Sequence, residues 1–198
     1  MMAREPVVRS QTVSRLSIFP ESAADGGARP AEPLLLSHDP LTIRQELGQR
    51  EIGFERWPVR TRLPQGADQT TILQAFRTDV ERVLSEAGHA SVDALRVTPS
   101  HPDKDSLRRR FLSEHTHTDD EVRFFVEGRG LFCLHIDTEV LAVLCERDDL
   151  IQIPAGTRHW FDMGDQPQFC VLRFHGNNPG WLATFTGDPI AERFPRLE

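Results

Sequence analysis

The chain is poor in the features that mark several large protein classes. It carries only three cysteines in 198 residues. Cys133, Cys145 and Cys170 stand far apart, each in an apolar setting such as LFCLHI or FCVL. An odd, scattered set argues against a disulfide framework or a zinc knuckle and predicts buried, reduced thiols in a cytoplasmic protein. No apolar run reaches the ~20 residues of a membrane-spanning helix. No apolar h-region precedes a small-residue cleavage site near the N-terminus, so no secretion signal is expected. Positive charge is also scarce. A formal net charge of −7 argues against a general nucleic-acid binder, which needs a basic surface. The only tight basic run, Arg108 to Arg110, reads as a solvated face. There is no internal repeat.

What is present suits one soluble domain with a real core. The apolar fraction is 38% and the charged fraction 27%. Residues 1–15 offer little to bury and are expected to form a flexible segment ahead of a single domain over 16–198. Leu16 to Phe19 alternates and could form an edge strand. Asp39 before Pro40 predicts a helix start, with Ile43 and Leu47 on one face and Gly48 as the stop. Phe54 to Val59 reads as a short strand. A longer helix is expected over about 69 to 87, with Leu73, Phe76, Val80, Val83 and Leu84 as its stripe and Gly88 as its C-cap. Ala94 to Thr98 reads as a strand, and Pro99 to Asp105 as a turn.

After Phe111 the character changes. Runs rich in Val, Ile, Leu and Phe cover 121–127, 130–136, 139–145, 149–153 and 168–175, with turn signals between them. The chain should therefore be mainly β with N-terminal helices, folded as a sandwich or small barrel.

The chemistry concentrates in EHTHTDDEVRFFVEGRG, Glu114 to Gly130. Residues two apart on a strand share a face, so His115 and His117 should project together. Glu121 and Arg123 have the same parity and join that face if the strand runs on without a bulge. Val122, Phe124 and Val126 would pack on the other side. Inside a small barrel the polar face would line a pocket. Two imidazoles and a carboxylate suit a borderline divalent metal such as iron, nickel, manganese or zinc. His159, after the turn at Pro154 to Gly156, is a candidate fourth ligand. His38, His89, His101, His135 and His175 read as ordinary polar or structural histidines.

His115, His117, Glu121 and Gly128 resemble the first cupin motif. Asp148, Pro154, Gly156 and His159 resemble the second, with Asp148 where the general pattern has glycine. The pattern's closing asparagine would fall at Met163. A narrower resemblance, over most of the chain from about residue 16, is to the acireductone dioxygenases of methionine salvage. EHTHTDDEVRFFVEGRGLFCLHI and LIQIPAGTRHWFDMG carry it, with Asn178 to Trp181 and Phe185 to Asp188. The resemblance implies a cupin double-stranded β-helix (jelly-roll) barrel and a metal-dependent dioxygenase. Its metal would be Fe2+, with Ni2+ as the alternative, and its partners the small-molecule acireductone and O2.

By that resemblance His115, His117, Glu121 and His159 hold the metal, and Arg123 favours the substrate dianion. Glu114 and Asp120 match positions tied to metal incorporation and to relaying conformational change, and join Arg123 as candidate catalytic residues. Phe111, Phe161 and Trp181 would wall the pocket, and Arg173 reads as either a supporting anchor there or a structural ion pair. A monomer is expected, since no long exposed apolar edge is evident. Two rivals make different predictions. Another cupin enzyme, an oxidase or isomerase, should not need Arg123. A non-catalytic metal-binding module should bind metal without consuming O2.

Overall fold

The computed structural model describes residues 13–24, 32–87, 89–176 and 182–198. In chain order come β1 (Arg15–Pro20), a 3-10 turn (Glu21–Ala24), β2 (Leu35–Ser37), α1 (Pro40–Gly48) and β3 (Gly53–Arg56). Next are α2 (Gln69–Ala75), α3 (Arg77–Ala87), β4 (Ser91–Val97) and α4 (Lys104–Phe111). Then follow β5 (His115–Thr116), β6 (Glu121–Ile136), β7 (Glu139–Glu146), β8 (Asp149–Ile153), β9 (Arg158–Asp162), β10 (Phe169–His175) and β11 (Thr184–Phe185). A 3-10 helix, Pro189–Arg193, lies near the C-terminus.

β6 organises the molecule. The sequence predicts two strands here, but a single strand runs through Gly128, whose φ of 69° bends it, and its register against β10 shifts between Cys170 and Val171. Before the bend β6 lies between β8 and β10; after it, between β7 and β9. One strand is thereby shared by two sheets, β3-β8-β6-β10-β4 and β2-β1-β7-β6-β9-β5-β11. Among the described residues the pairing does not close: β3 and β4 edge one sheet, β2 and β11 the other. A mainly β fold is therefore observed, whereas the expected barrel is an open double sheet.

The inner core contains Phe125, Phe132, Leu134, Ile151, Phe169 and Val171, with Ile43 and Leu47 of α1. Asp39 caps α1 by accepting from the Thr42 backbone N–H, as the Asp-Pro signal implies. Phe76, Val80 and Val83 pack with Val122, Phe124 and Val126 in a second apolar cluster. The even-numbered side of β6 is thus buried, as its alternation predicts, and what covers it is helix. The expected 69–87 helix is two helices. Phe76 breaks the helical conformation (φ −113°, ψ 22°) while its ring sits 6.4 Å from that of Phe124. Gly88 lies outside the described residues.

Several expectations need correction. β1 is not an edge strand, since β7 and β2 flank it. Ser14, placed by sequence in the loose segment, is buried and donates to Asp149; Arg15 opens β1. Residues 1–12 lie outside the described residues. An apolar edge does exist: Leu34 and Leu36 at β2 and nearby Leu41 are exposed. α4 was hidden because three arginines dilute its apolar face. Those arginines are not one solvated face, since Arg108 forks onto Asp162 at 2.8 and 3.1 Å. Asp148 adopts φ 86°, where a glycine is ordinarily favoured. Its carboxylate accepts from the Val59 N–H at 2.8 Å, which helps hold the residue in that conformation.

Candidate metal centre

Local structure sets the histidines. β5 and β9 pair so that His115 lies directly opposite His159. His117 follows two residues on, and the three rings cluster with centroids 4.5–5.2 Å apart. Their candidate ligand atoms all lie within 4.8 Å of one another. His115 and His159 each direct Nδ1 at the carbonyl two residues earlier, Ser113 at 2.7 Å and Thr157 at 2.8 Å. His117 does the same more loosely with Leu182, at 3.4 Å. A carbonyl can only accept, so each ring keeps its proton on Nδ1 and offers Nε2 as a bare donor.

Glu121 reaches the cluster by a different route from the one its parity suggests. The chain bends at residues 118–119, so β5 and β6 are separate strands. Two hydrogen bonds brace the bend against the following loop: Gly156 N–H to His117 O, and Ala155 N–H to the Asp120 carboxylate, each 2.9 Å. Glu121 Oε2 then lies 2.9 Å from His159 Nε2 and 3.3 Å from His117 Nε2. Its other oxygen accepts from Arg123 at 2.9 Å.

The electrostatics suits a divalent cation. Burial pushes His115 down to about 4, and neighbouring His159 pushes the same way. Burial also opposes charge on His159, but the facing Glu121 carboxylate outweighs it and raises His159. Glu121 is held well below the usual carboxylate range: burial would raise it, and Arg123 and His159 overcome that. Glu121 Oε2 and His159 Nε2 are buried without a hydrogen-bond partner. Two acceptors facing each other call for a shared positive centre, which a divalent ion bound by imidazole and carboxylate supplies.

The cluster lies in a cavity of about 240 Å³. Arg123 points into it and is 5% exposed. Burial lowers Arg123 to about 10, and cross-strand Arg173 adds to that, while Glu121 counters it. At neutral pH it stays charged. Arg173 also lines the cavity, forked on Asp93 at 2.6 and 2.7 Å. Phe111 and Phe161 form part of the wall with rings 6.2 Å apart. Gly130 lets Phe161 lie across β6, since a Cβ there would strike the ring.

Two expected residues lie elsewhere. Glu114 does not line this cavity; it points to the other side of β5, buried, accepting from His135 Nδ1 and the Thr186 hydroxyl at 2.6 Å each. Exposed Asp120 braces the Ala155 turn. Neither carboxylate lines the cavity. Trp181 lies outside the described residues. Sequence reading missed Leu95, Leu107, Arg110, Phe132, Phe169, Val171, Ala183 and Phe185 as lining residues. Phe125, also in the wall, shares the parity of Arg123 and was legible from it.

α4 is tied to the site through Asp162, which also accepts from the Gly164 and Leu197 N–H groups. Burial would raise Asp162, but Arg108 and these donors hold it below its usual value. The stability it contributes is thus present above the ordinary carboxylate range and is lost as pH falls through the folded value. Asp162→Asn should cost about 2 kcal/mol at pH 7. At this chain length that is roughly 4–8 °C of Tm, with a shallower acid limb in a pH series of melts. An unchanged Tm would show that the fork adds nothing.

Comparison with known proteins agrees with this geometry. The family model described as "ARD/ARD′ family" matches residues 30–183. The acireductone dioxygenase of Parasynechococcus marenigrum is 59% identical over 186 residues, covering 94% of this chain and all of that one. That of Prochlorococcus marinus is 57% identical over 185 residues, covering 93% and all of it respectively. A solved acireductone dioxygenase from Bacillus anthracis, with a cadmium ion in its active center, superposes with a TM-score of 0.73 at 25% identity. That superposition covers 87% of this chain and 98% of the other. No helix among the described residues is long and apolar enough to cross a membrane. With most of its length matched by the family model and by relatives at these identities, the chain is an enzyme of the acireductone dioxygenase family.

Proposed function

We propose that this enzyme cleaves acireductone, 1,2-dihydroxy-3-oxo-5-(methylthio)pent-1-ene, with O2 in methionine salvage. The iron form would yield 4-methylthio-2-oxobutanoate and formate. The nickel form would yield 3-(methylthio)propanoate, formate and carbon monoxide. Each set balances against one substrate and one O2. The double sheet is read as a cupin jelly roll, and the enzyme as a cytoplasmic monomer.

One observation carries this reading. Three inward Nε2 atoms and the unpartnered Glu121 Oε2 meet beside a buried, charged Arg123. His115, His117, Glu121 and His159 would hold Fe2+ or Ni2+, which supplies the positive centre and open positions that orient an enediolate toward O2. Arg123 holds charge where the substrate anion would lie and so favours its doubly deprotonated form. Glu121 fixes that guanidinium, and Asp93 fixes Arg173 across the strand pair. Phe111 and Phe161 would receive the methylthio tail and keep water out.

The test is reconstitution. Metal-free protein reloaded with Fe2+ should give keto acid and formate from synthetic acireductone and O2. Reloaded with Ni2+, it should also release carbon monoxide. No accelerated loss of acireductone with either metal fully bound would refute the assignment.

A further inference from the structure

The basic run Arg108 to Arg110 is not accounted for by the metal centre. α4 gives its three arginines three surroundings. Arg108 is forked on Asp162. Arg109 lines a separate outer pocket with Asp188 and Glu192. Arg110 lines the metal cavity itself, yet its side chain is exposed, which puts it at the opening.

Three guanidiniums and a single carboxylate line that cavity. Arg123 is matched by Glu121 and Arg173 by Asp93. Among the described residues Arg110 has no hydrogen bond or ion pair. It is the one cavity guanidinium whose charge no carboxylate already answers. The chain as a whole carries −7, so at long range it repels an anion. An unpaired cation at the opening reverses the local sign, and such a field raises the local concentration of an anionic ligand.

We propose that Arg110 captures the anionic enediolate at the cavity mouth and hands it inward to Arg123; this rests on the acireductone reading above. A purely structural role would be different. All three arginines sit in the last turn of α4, where a cation complements the helix dipole. That benefit belongs to Arg109 as much as to Arg110. Only Arg110 faces the substrate.

The experiment compares metal-loaded wild type with Arg110→Ala, Arg110→Lys, Arg110→Glu and Arg109→Ala across a range of ionic strength. An exposed pair of this kind corresponds to a loss of up to about fivefold. Arg110→Ala should lose roughly three- to fivefold in kcat/KM at low salt, carried by KM, and the deficit should shrink as salt screens the charge. Arg110→Lys should recover most of it. Arg110→Glu should reverse the salt slope, gaining activity as salt rises. Arg109→Ala should match wild type. Oxalate, a small planar dianion, provides a readout independent of turnover: its Kd for the metal-loaded protein, by calorimetry, should weaken in Arg110→Ala. If acireductone is not turned over but oxalate binding still depends on Arg110, the reaction assignment fails and anion capture stands. Equal losses in Arg109→Ala and Arg110→Ala, or unchanged oxalate Kd and salt slope in Arg110→Ala, would overturn the proposal.

Discussion

A Glu121→Gln variant is expected to lose its metal and its activity together. The carboxylate is the single anionic donor beside three imidazoles, and its Oε2 is buried without a hydrogen-bond partner. Changes that merely disturb a ligand's supporting hydrogen bonds weaken metal sites by about 10- to 100-fold. Removing the charged donor should therefore cost on the order of 100-fold or more in affinity. Glutamine keeps the shape, and its amide can still accept from Arg123 while turning its N–H toward His159 Nε2. The metal-free variant should thus remain folded, which separates loss of the ion from loss of structure. The check is metal content after equilibration at fixed free Fe2+ or Ni2+, alongside circular dichroism and acireductone turnover. Full metal occupancy in this variant would remove Glu121 from the ligand set.

The second large effect concerns the fold. Gly128→Ala should destabilise the protein by more than about 3 kcal/mol, enough to leave little soluble material. Gly128 has φ 69°, and a Cβ there would sit on the Gln168 carbonyl oxygen, with the Phe169 Cα 2.8 Å away. Both obstacles are backbone of β10 and its approach, so neither can swing aside. Any relief must move β6 against β10, the pair that carries Arg123 opposite Arg173. Gly66→Ala is the matched control. It has φ 74° with nothing within 4 Å, so it bears only the left-handed penalty of roughly 1–2 kcal/mol. Denaturant melts of the two variants separate clash from conformation. If Gly128→Ala melts no lower than Gly66→Ala, the bend in β6 tolerates a side chain and is not built on that close approach.

Much of this could be read before any coordinates. The alternation from Glu121 to Val126 assigned one side of β6 to chemistry and the other to apolar packing, because side-chain period along a strand is local geometry. Asp39 before Pro40 fixed the start of α1 for the same kind of reason. The residue types and spacing of His115, His117, Glu121 and His159 were enough to name a metal centre, since ligand chemistry is written in side-chain identity.

The rest depended on contacts distant in sequence. That 121–136 is one bent strand shared by two sheets follows from partners on both sides of Gly128, which no local window contains. Glu114 was adjacent to a ligand and looked catalytic, but β5 turns its side chain to His135 and Thr186 on the opposite side. Asp162 drew Arg108 out of an apparently uniform basic run and left Arg110 facing the cavity. Sequence alone determined which groups this protein possesses and which face of each element they occupy, because propensity and periodicity act over a few residues. Tertiary structure alone decided which of those groups meet and which charges go unmatched, because pairing across strands and burial are set by the whole chain.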